Sequence, residues 1–114
     1  MYKVIWLVRF RRDVPREEVV RRWREEHGPR AAKTPGMIRY LQSHWTSALD
    51  HDTQLPADAQ PPHRDGHAEH PFEDCDTYRA AMASPQWREV QIDGPRGFDA
   101  TTLVGGELDE FTVL

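Results

Sequence analysis

A single cysteine, Cys75, stands among 114 residues, which excludes an internal disulfide and fits a reducing compartment. No apolar run approaches the roughly 20 residues of a membrane span. Residues 1–10 lack the charged start, long apolar stretch and small-residue cleavage site of a secretion signal. A cytoplasmic protein with no membrane partner is expected. The chain also lacks a glycine-rich phosphate loop, a nucleophile elbow and a dinucleotide fingerprint. Nothing in it builds a nucleotide or flavin site, so no cofactor is expected. A surplus of positive charge is missing as well: the net charge is −4. Residues 1–48 carry +6 and residues 49–114 carry −10. The arginines at 16, 21, 22 and 24 interleave with Glu17, Glu18, Glu25 and Glu26, as on a solvated helix face, and no nucleic-acid partner is expected.

What is present fits one domain spanning 1–114, with 38% apolar and 30% charged residues and therefore a thin core. Tyr2 to Phe10 is apolar on both of its alternating faces, with Tyr2, Val4, Trp6, Val8 and Phe10 on one and Ile5 and Leu7 on the other. That pattern predicts a central strand. Pro15 opens a helical segment in which Val19, Val20, Trp23 and His27 recur at helical spacing. Gly28-Pro29 should end or kink it, with Ala31 and Ala32 adding at most one turn. After the turn Thr34-Pro35-Gly36, Met37 to Ala48 reads as a strand with Ile38, Tyr40, Gln42 and His44 on one face and Met37, Arg39, Leu41, Ser43 and Trp45 on the other. Residues 49–65, with three prolines and four aspartates, form a long loop.

Gly66 to Phe72 reads as a further strand, where Pro71 marks an edge, a bulge or the strand's end. Asp74 can cap a second helix carrying Tyr78, Ala81 and Met82, stopped at Ser84-Pro85. Trp87 and Val90 predict another helical stretch before Gly94, and alternation from Leu103 to Leu114 predicts a last strand. The order β-α-β-β-α-β is that of a ferredoxin-like α+β fold, one four-stranded antiparallel sheet with its helices on one face. The first strand's second apolar face then needs a cover. A second copy of the chain is the economical one, giving a homodimer whose sheets face each other as a barrel around a cavity.

His27 lies where the helix's inner stripe meets the following turn, and an imidazole titrates where a proton-transfer group should. The same residue would also serve as a helix C-terminal cap. Tyr40 can donate a hydrogen bond to a carbonyl or a developing enolate, or stand as an ordinary aromatic strand residue. His44 shares its face. Trp6 and Trp45 would line an aromatic pocket. His63, His67, Glu69 and His70 invite a metal, but strand alternation puts His67 and Glu69 on one face and His70 on the other. Two ligands are too few unless a bulge at Pro71 intervenes, so no metal is expected and these residues are read as solvated or pocket-lining polar residues. Cys75 starts a helix, but Asp74 and Asp76 beside it oppose a thiolate.

Trp23, His27-Gly28-Pro29, Pro35-Gly36 and Tyr40, followed by Asp65-Gly66-His67-Ala68-Glu69, Phe72, Tyr78-Arg79-Ala80-Ala81-Met82, Ser84-Pro85 and Trp87, resemble the EthD family of the dimeric α+β barrel superfamily. Asp109-Glu110 stands where that family often has paired acids. The likeness extends over the chain outside the 49–64 loop. More loosely, the chain is similar to the methylmuconolactone methylisomerases, cofactor-free enzymes that move protons on a lactone. That resemblance implies a helix-end histidine at His27, a strand tyrosine at Tyr40 and His70 in place of a strand cysteine, so a thiol-dependent step does not carry over. A loop histidine has His51 or His63 as counterpart. The family reading implies a small-molecule substrate of catabolic or secondary metabolism. It further implies isomerase, dehydratase or cyclase chemistry by His27, Tyr40 and His70, with Trp6, His44, His51, His67 and Glu69 binding substrate. The alternatives are a cofactor-independent oxygenase or oxidoreductase accessory, and a non-catalytic binding module.

Overall fold

The computed structural model describes residues 1–57 and 62–114. The main sheet is antiparallel and runs β2 (Leu41–His44), β5 (Gly66–Phe72), β1 (Tyr2–Val8), β6 (Val104–Leu108) from edge to edge. With helices between β1 and β2 and between β5 and β6 along the chain, the fold is ferredoxin-like α+β. β1 is interior, as its two apolar faces predict.

Helix α1 (Arg16–Arg22) starts directly after Pro15, widens into one π-helical turn (Trp23–His27), and continues as α2 (Gly28–Ala32). The helix therefore does not stop at Gly28-Pro29. The widened turn hands its hydrogen bond from Gly28 N–H back to the Trp23 carbonyl, and Pro29 falls in the first turn of α2, where its missing donor costs little. α3 (Cys75–Met82) is capped by the Asp74 carboxylate, which accepts from Thr77 N–H at 2.8 Å. Ser84 ends that helix and caps the next, accepting from Trp87 N–H at the start of α4 (Pro85–Asp93).

All these helices cover the sheet face that carries Val4, Trp6 and Val8 of β1. Val8, Phe10, Val19, Trp23, Ala68 and Phe98 form one buried cluster, and Ala31, Trp87 and Val90 a second. Two glycines are fixed by close approach. A side chain on Gly66 would meet the Trp23 ring at 2.8 Å and the Ser43 carbonyl at 2.5 Å, and one on Gly105 would strike the Trp6 ring at 2.5 Å.

Three local expectations are corrected. Leu41 pairs with Glu69 while Met37 bridges Phe72, so four steps on one strand oppose three on the other. This bulge reverses the parity before Tyr40: Met37 turns inward against α2 and α4, and Ile38 is left 53% exposed. It also explains Pro71, which stands in the interior strand β5 opposite the bulge rather than at a sheet edge. Secondly, the 49–65 loop holds a small hairpin, β3 (Ala48–Leu49) with β4 (Pro56–Ala57). The Asp50 carboxylate turns it by accepting from the N–H groups of Asp52 and Thr53; residues 58–61 of the loop lie outside the described ones. Thirdly, the last strand ends at Leu108, and the alternating residues 109–114 are not part of the sheet.

Asp65 ties the chain together at the sheet's end. Its buried carboxylate accepts from Phe10 N–H at 2.7 Å and from the Arg16 guanidinium at 2.7 Å. Its own N–H donates to the Val8 carbonyl, and its carbonyl accepts from Trp45 N–H. Asp65→Ala strands a buried donor and releases Arg16, so equilibrium denaturation should register a loss of about 2–3 kcal/mol with an unchanged denaturant slope.

Candidate active site

A cavity of about 250 Å³ lies between the covered face of the sheet and the helices. β1 contributes Trp6 and Val8, β5 contributes Ala68 and His70, and the segment leading into β2 contributes Tyr40. From the helical layer come Trp23 and His27 of the π turn and Trp87 and Val90 of α4. Exposed Gln91, Pro95 and Leu103 rim its mouth. The cavity is thus internal to one chain. The space against which a second copy's sheet would pack is on the other side.

His27 reaches the cavity from the π turn with its side chain 13% exposed. Its Nδ1 lies 2.9 Å from Oδ2 of Asp93, the last residue of α4. A carboxylate only accepts, so Nδ1 carries the proton, and Nε2, which has no hydrogen-bond partner among the described residues, keeps its lone pair. Asp93 is 5% exposed, and its other oxygen takes guanidinium groups from Arg30 at 2.8 Å and Arg22 at 3.3 Å, with Arg96 at 3.5 Å. Burial holds His27 below the ordinary imidazole pKa; the Asp93 carboxylate opposes that shift, while Arg30 and Arg22 reinforce it. The histidine is neutral at neutral pH.

Tyr40 Oη accepts from Trp23 Nε1–H at 2.8 Å. That bond occupies a lone pair and leaves the phenolic proton for another partner. Burial pushes the phenol up to about 12, so it remains a donor throughout the physiological range. His70 is 3% exposed and packed edge-to-face with Tyr40 (5.2 Å between centroids) and Trp87 (5.6 Å). Its Nδ1 is sealed without a partner among the described residues, so Nε2 carries the ring's contact with the cavity. Burial first, and the neighbouring His27 second, lower its pKa to about 4.

The structure therefore brings His27, Tyr40, His70 and Trp6 to one cavity. It does not bring the other expected residues there. His44 stacks on the far side of Trp23 (4.4 Å between centroids) and bonds Gln42. His67 and Glu69 lie on the sheet's opposite face, where strand alternation from His70 sends them. His67 there accepts from Trp45 Nε1–H at 2.9 Å, which also removes Trp45 from the cavity. His51 is fully exposed in the hairpin turn beside Asp52, and His63 lies beside Arg9. Among the described residues no group of three or more His, Cys, Asp or Glu side chains is placed to hold a metal.

Asp93 is the residue that sequence reasoning passed over. One signal marked it: a carboxylate in the last turn of a helix opposes the helix dipole and needs cations to hold it, and here Arg22, Arg30 and Arg96 supply them.

The EthD domain model matches residues 11–101 of the chain. Among solved structures, an EthD family protein from Bacillus halodurans superposes with a TM-score of 0.78 at 15% identity, over 97% of this chain and 99% of that one. A dimeric ferredoxin-like protein of unknown function from Bacteroides fragilis gives 0.66 at 12%, covering 96% and 95%. A point mutant of SnoaB, a cofactor-independent oxygenase from Streptomyces nogalater, gives 0.61 at 16%, covering 98% and 96%. No curated protein matches the sequence. No helix among the described residues is long and apolar enough to cross a membrane.

The depressed His70 pKa has a thermodynamic consequence. The unfolded chain binds this proton near pH 6.5 and the folded chain only near pH 4, so stability is complete above pH 6.5 and falls as the pH drops toward 4. The loss should total on the order of 3 kcal/mol. Denaturant midpoints across that window should fall less steeply in His70→Phe than in the wild type.

Proposed function

The chain belongs to the EthD domain family, and from that premise we propose that it is a cofactor-independent proton-transfer enzyme acting on a small ring-containing carbonyl metabolite. One observation carries the reading: an imidazole held neutral, with Nδ1 bonded to a buried carboxylate and Nε2 unengaged at an apolar cavity. In this assignment His27 Nε2 removes the proton next to the carbonyl, and Asp93 stabilises the imidazolium that forms. Tyr40 donates its hydroxyl proton in a hydrogen bond to the oxygen on which negative charge develops. Returning the proton to another carbon, or expelling a leaving group, gives isomerisation or dehydration. His70 stays neutral down to about pH 4, which suits it to orienting substrate through Nε2 more than to shuttling protons. The reading favours cytoplasmic small-molecule metabolism.

A second reading shares the first step. The indoles of Trp6, Trp23 and Trp87 suit an oxidisable aromatic substrate, and a deprotonated aromatic can pass electrons directly to dioxygen. The fold likeness to an oxygenase from Streptomyces nogalater supports this variant, which requires His27-dependent uptake of dioxygen in the presence of 1-naphthol.

The proposal includes a homodimer. The uncovered sheet face presents Ile5 and Leu7 of β1, with Leu41 of β2 and Val104 of β6 at 37% and 44% exposure. A twin copy covers this surface, and the dimeric Bacteroides fragilis neighbour supports that arrangement. Sedimentation should give twice the 13.3 kDa chain mass, and Ile5→Lys should give the monomer.

Exchange of the α-protons of 2-indanone in heavy water, followed by NMR, tests the chemistry. His27→Ala should slow it by about 10²–10⁴-fold and Tyr40→Phe by about 10²-fold. The base must be neutral and its pKa is lowered from 6.5, so the rate should hold at neutral pH and fall in a limb below pH 6.5. Tyr40 adds no alkaline limb short of about pH 12. Exchange unaffected by either substitution overturns the assignment; tight binding of a ring ketone without exchange points to a binding module instead.

A further inference from the structure

The cavity is notable for what its walls omit. Among the described residues no Lys, Arg, Asp or Glu side chain lines it. The chain has 15 basic residues, yet those nearest the site, Arg22, Arg30 and Arg96, lie behind His27 with their guanidinium groups directed to Asp93. The imidazole and phenol groups of His27, Tyr40 and His70 line its interior, and Gln91 stands outside them, exposed at the rim. Around them stand the indoles of Trp6, Trp23 and Trp87 and the ring of Phe98.

Volume narrows the choice further. An apolar cavity of about 150 Å³ holds benzene. On that scale, 250 Å³ holds roughly ten ring atoms, the size of a fused bicycle.

Resting on the reading of this cavity as the active site, we propose that its ligand is an uncharged, planar, fused two-ring phenol or ketone, and that the cavity excludes the same ring system when it bears a carboxylate. A ring hydroxyl can donate to His27 Nε2 and accept from the Tyr40 hydroxyl, and a ring carbonyl can accept from the Tyr40 hydroxyl. A carboxylate can accept the one Tyr40 hydrogen bond but meets only a lone pair at His27 Nε2. It would lose its hydration on entry and meet no cation, because the two titratable imidazoles at the wall, His27 and His70, are both kept neutral by burial.

The matched probes are 2-naphthol and 2-naphthoate at pH 7, where the first is neutral and the second anionic. Calorimetry gives the affinities, and the indole N–H signals of the four tryptophans in a nitrogen-15 spectrum report the location. Trp45 is the internal control, since it sits on the opposite sheet face, bonded to His67. The expected result is saturable binding of 2-naphthol that moves the Trp6, Trp23 and Trp87 signals and leaves Trp45 in place. The naphthoate should bind at least about 30-fold more weakly. A smaller ratio, a preference for the naphthoate, or no movement of the three cavity signals overturns the proposal.

A second arm uses Gln91→Lys, which adds a cation at the exposed rim. Naphthoate affinity should rise at least about tenfold while naphthol affinity changes little; an unchanged naphthoate affinity overturns the charge argument. This inference and the catalytic one fail separately. Naphthol binding with exchange indifferent to His27→Ala sinks the catalytic assignment alone. His27-dependent exchange with no charge discrimination sinks this one alone.

Discussion

The Trp23 indole is the joint on which the site turns. Its ring is 1% exposed and meets Phe10 and Phe98 edge-to-face, so it fastens the π turn to the first strand and to the segment after α4. Its Nε1–H donates to Tyr40, its carbonyl accepts from Gln42 and from Gly28 N–H, and His44 stacks on its outer side. One residue therefore fixes the phenol that would polarise a carbonyl and the widened turn that presents His27. The small partner opposite the indole follows from the same constraint, because only Gly66 leaves room for the ring. A smaller side chain at position 23 would leave a void and release Tyr40, coupling stability to the geometry of the cavity.

Asp93 poses the second constraint. A carboxylate at the end of a helix, buried and beside the partial negative charge of the last carbonyls, is costly unless cations and donors hold it. Three guanidinium groups and an imidazole converge on it. Their competing effects leave the imidazole neutral: the carboxylate would favour the cation, while burial and the surrounding positive charge disfavour it. The tautomer is fixed by the same bond, since an acceptor at Nδ1 forces the lone pair onto Nε2. Part of the excess of arginines in the first half of the sequence, and of acids in the second, is thus spent in one internal contact. The rest forms surface networks such as Arg21 with Glu18, Glu25 and Glu26.

Much of the fold was legible because its signals are local. The double apolar alternation of Tyr2 to Val8, the Asp74 and Ser84 caps and the span Gly66–Phe72 each follow from side chains within a few residues. What was not legible depends on partners far along the chain. The helix runs past Gly28-Pro29 because the Trp23 carbonyl accepts across a π turn, and no propensity encodes that. The bulge before Tyr40 exists only by pairing with β5, and it moved Met37 inside and Ile38 outside. Of the candidate residues, His27, Tyr40, His70 and Trp6 meet at one cavity, whereas His44, His51, His67 and Glu69 do not. Asp93 pairs with His27 across 66 residues, so spacing could not join them. His44 stands apart for a different reason: it shares Tyr40's face, but it stacks on the Trp23 ring and does not line the cavity.

β5 shows why both surfaces of the sheet belong to a single design. Its even positions, Ala68 and His70, face the cavity, and its odd positions, His67 and Glu69, face the uncovered side. A slip of one residue in its pairing would exchange the two sets, placing charge in an apolar hollow and a buried histidine in water. The register is held from both ends: Asp65 bonds Phe10 N–H before the strand begins, and Phe72 closes the bulge with Met37 where it ends. Because the register is held, a covering partner on one side and a ligand on the other, as proposed, would act on the same strand. The hydrophobic demand of the open face and the electrostatic neutrality of the cavity are two consequences of one alternation.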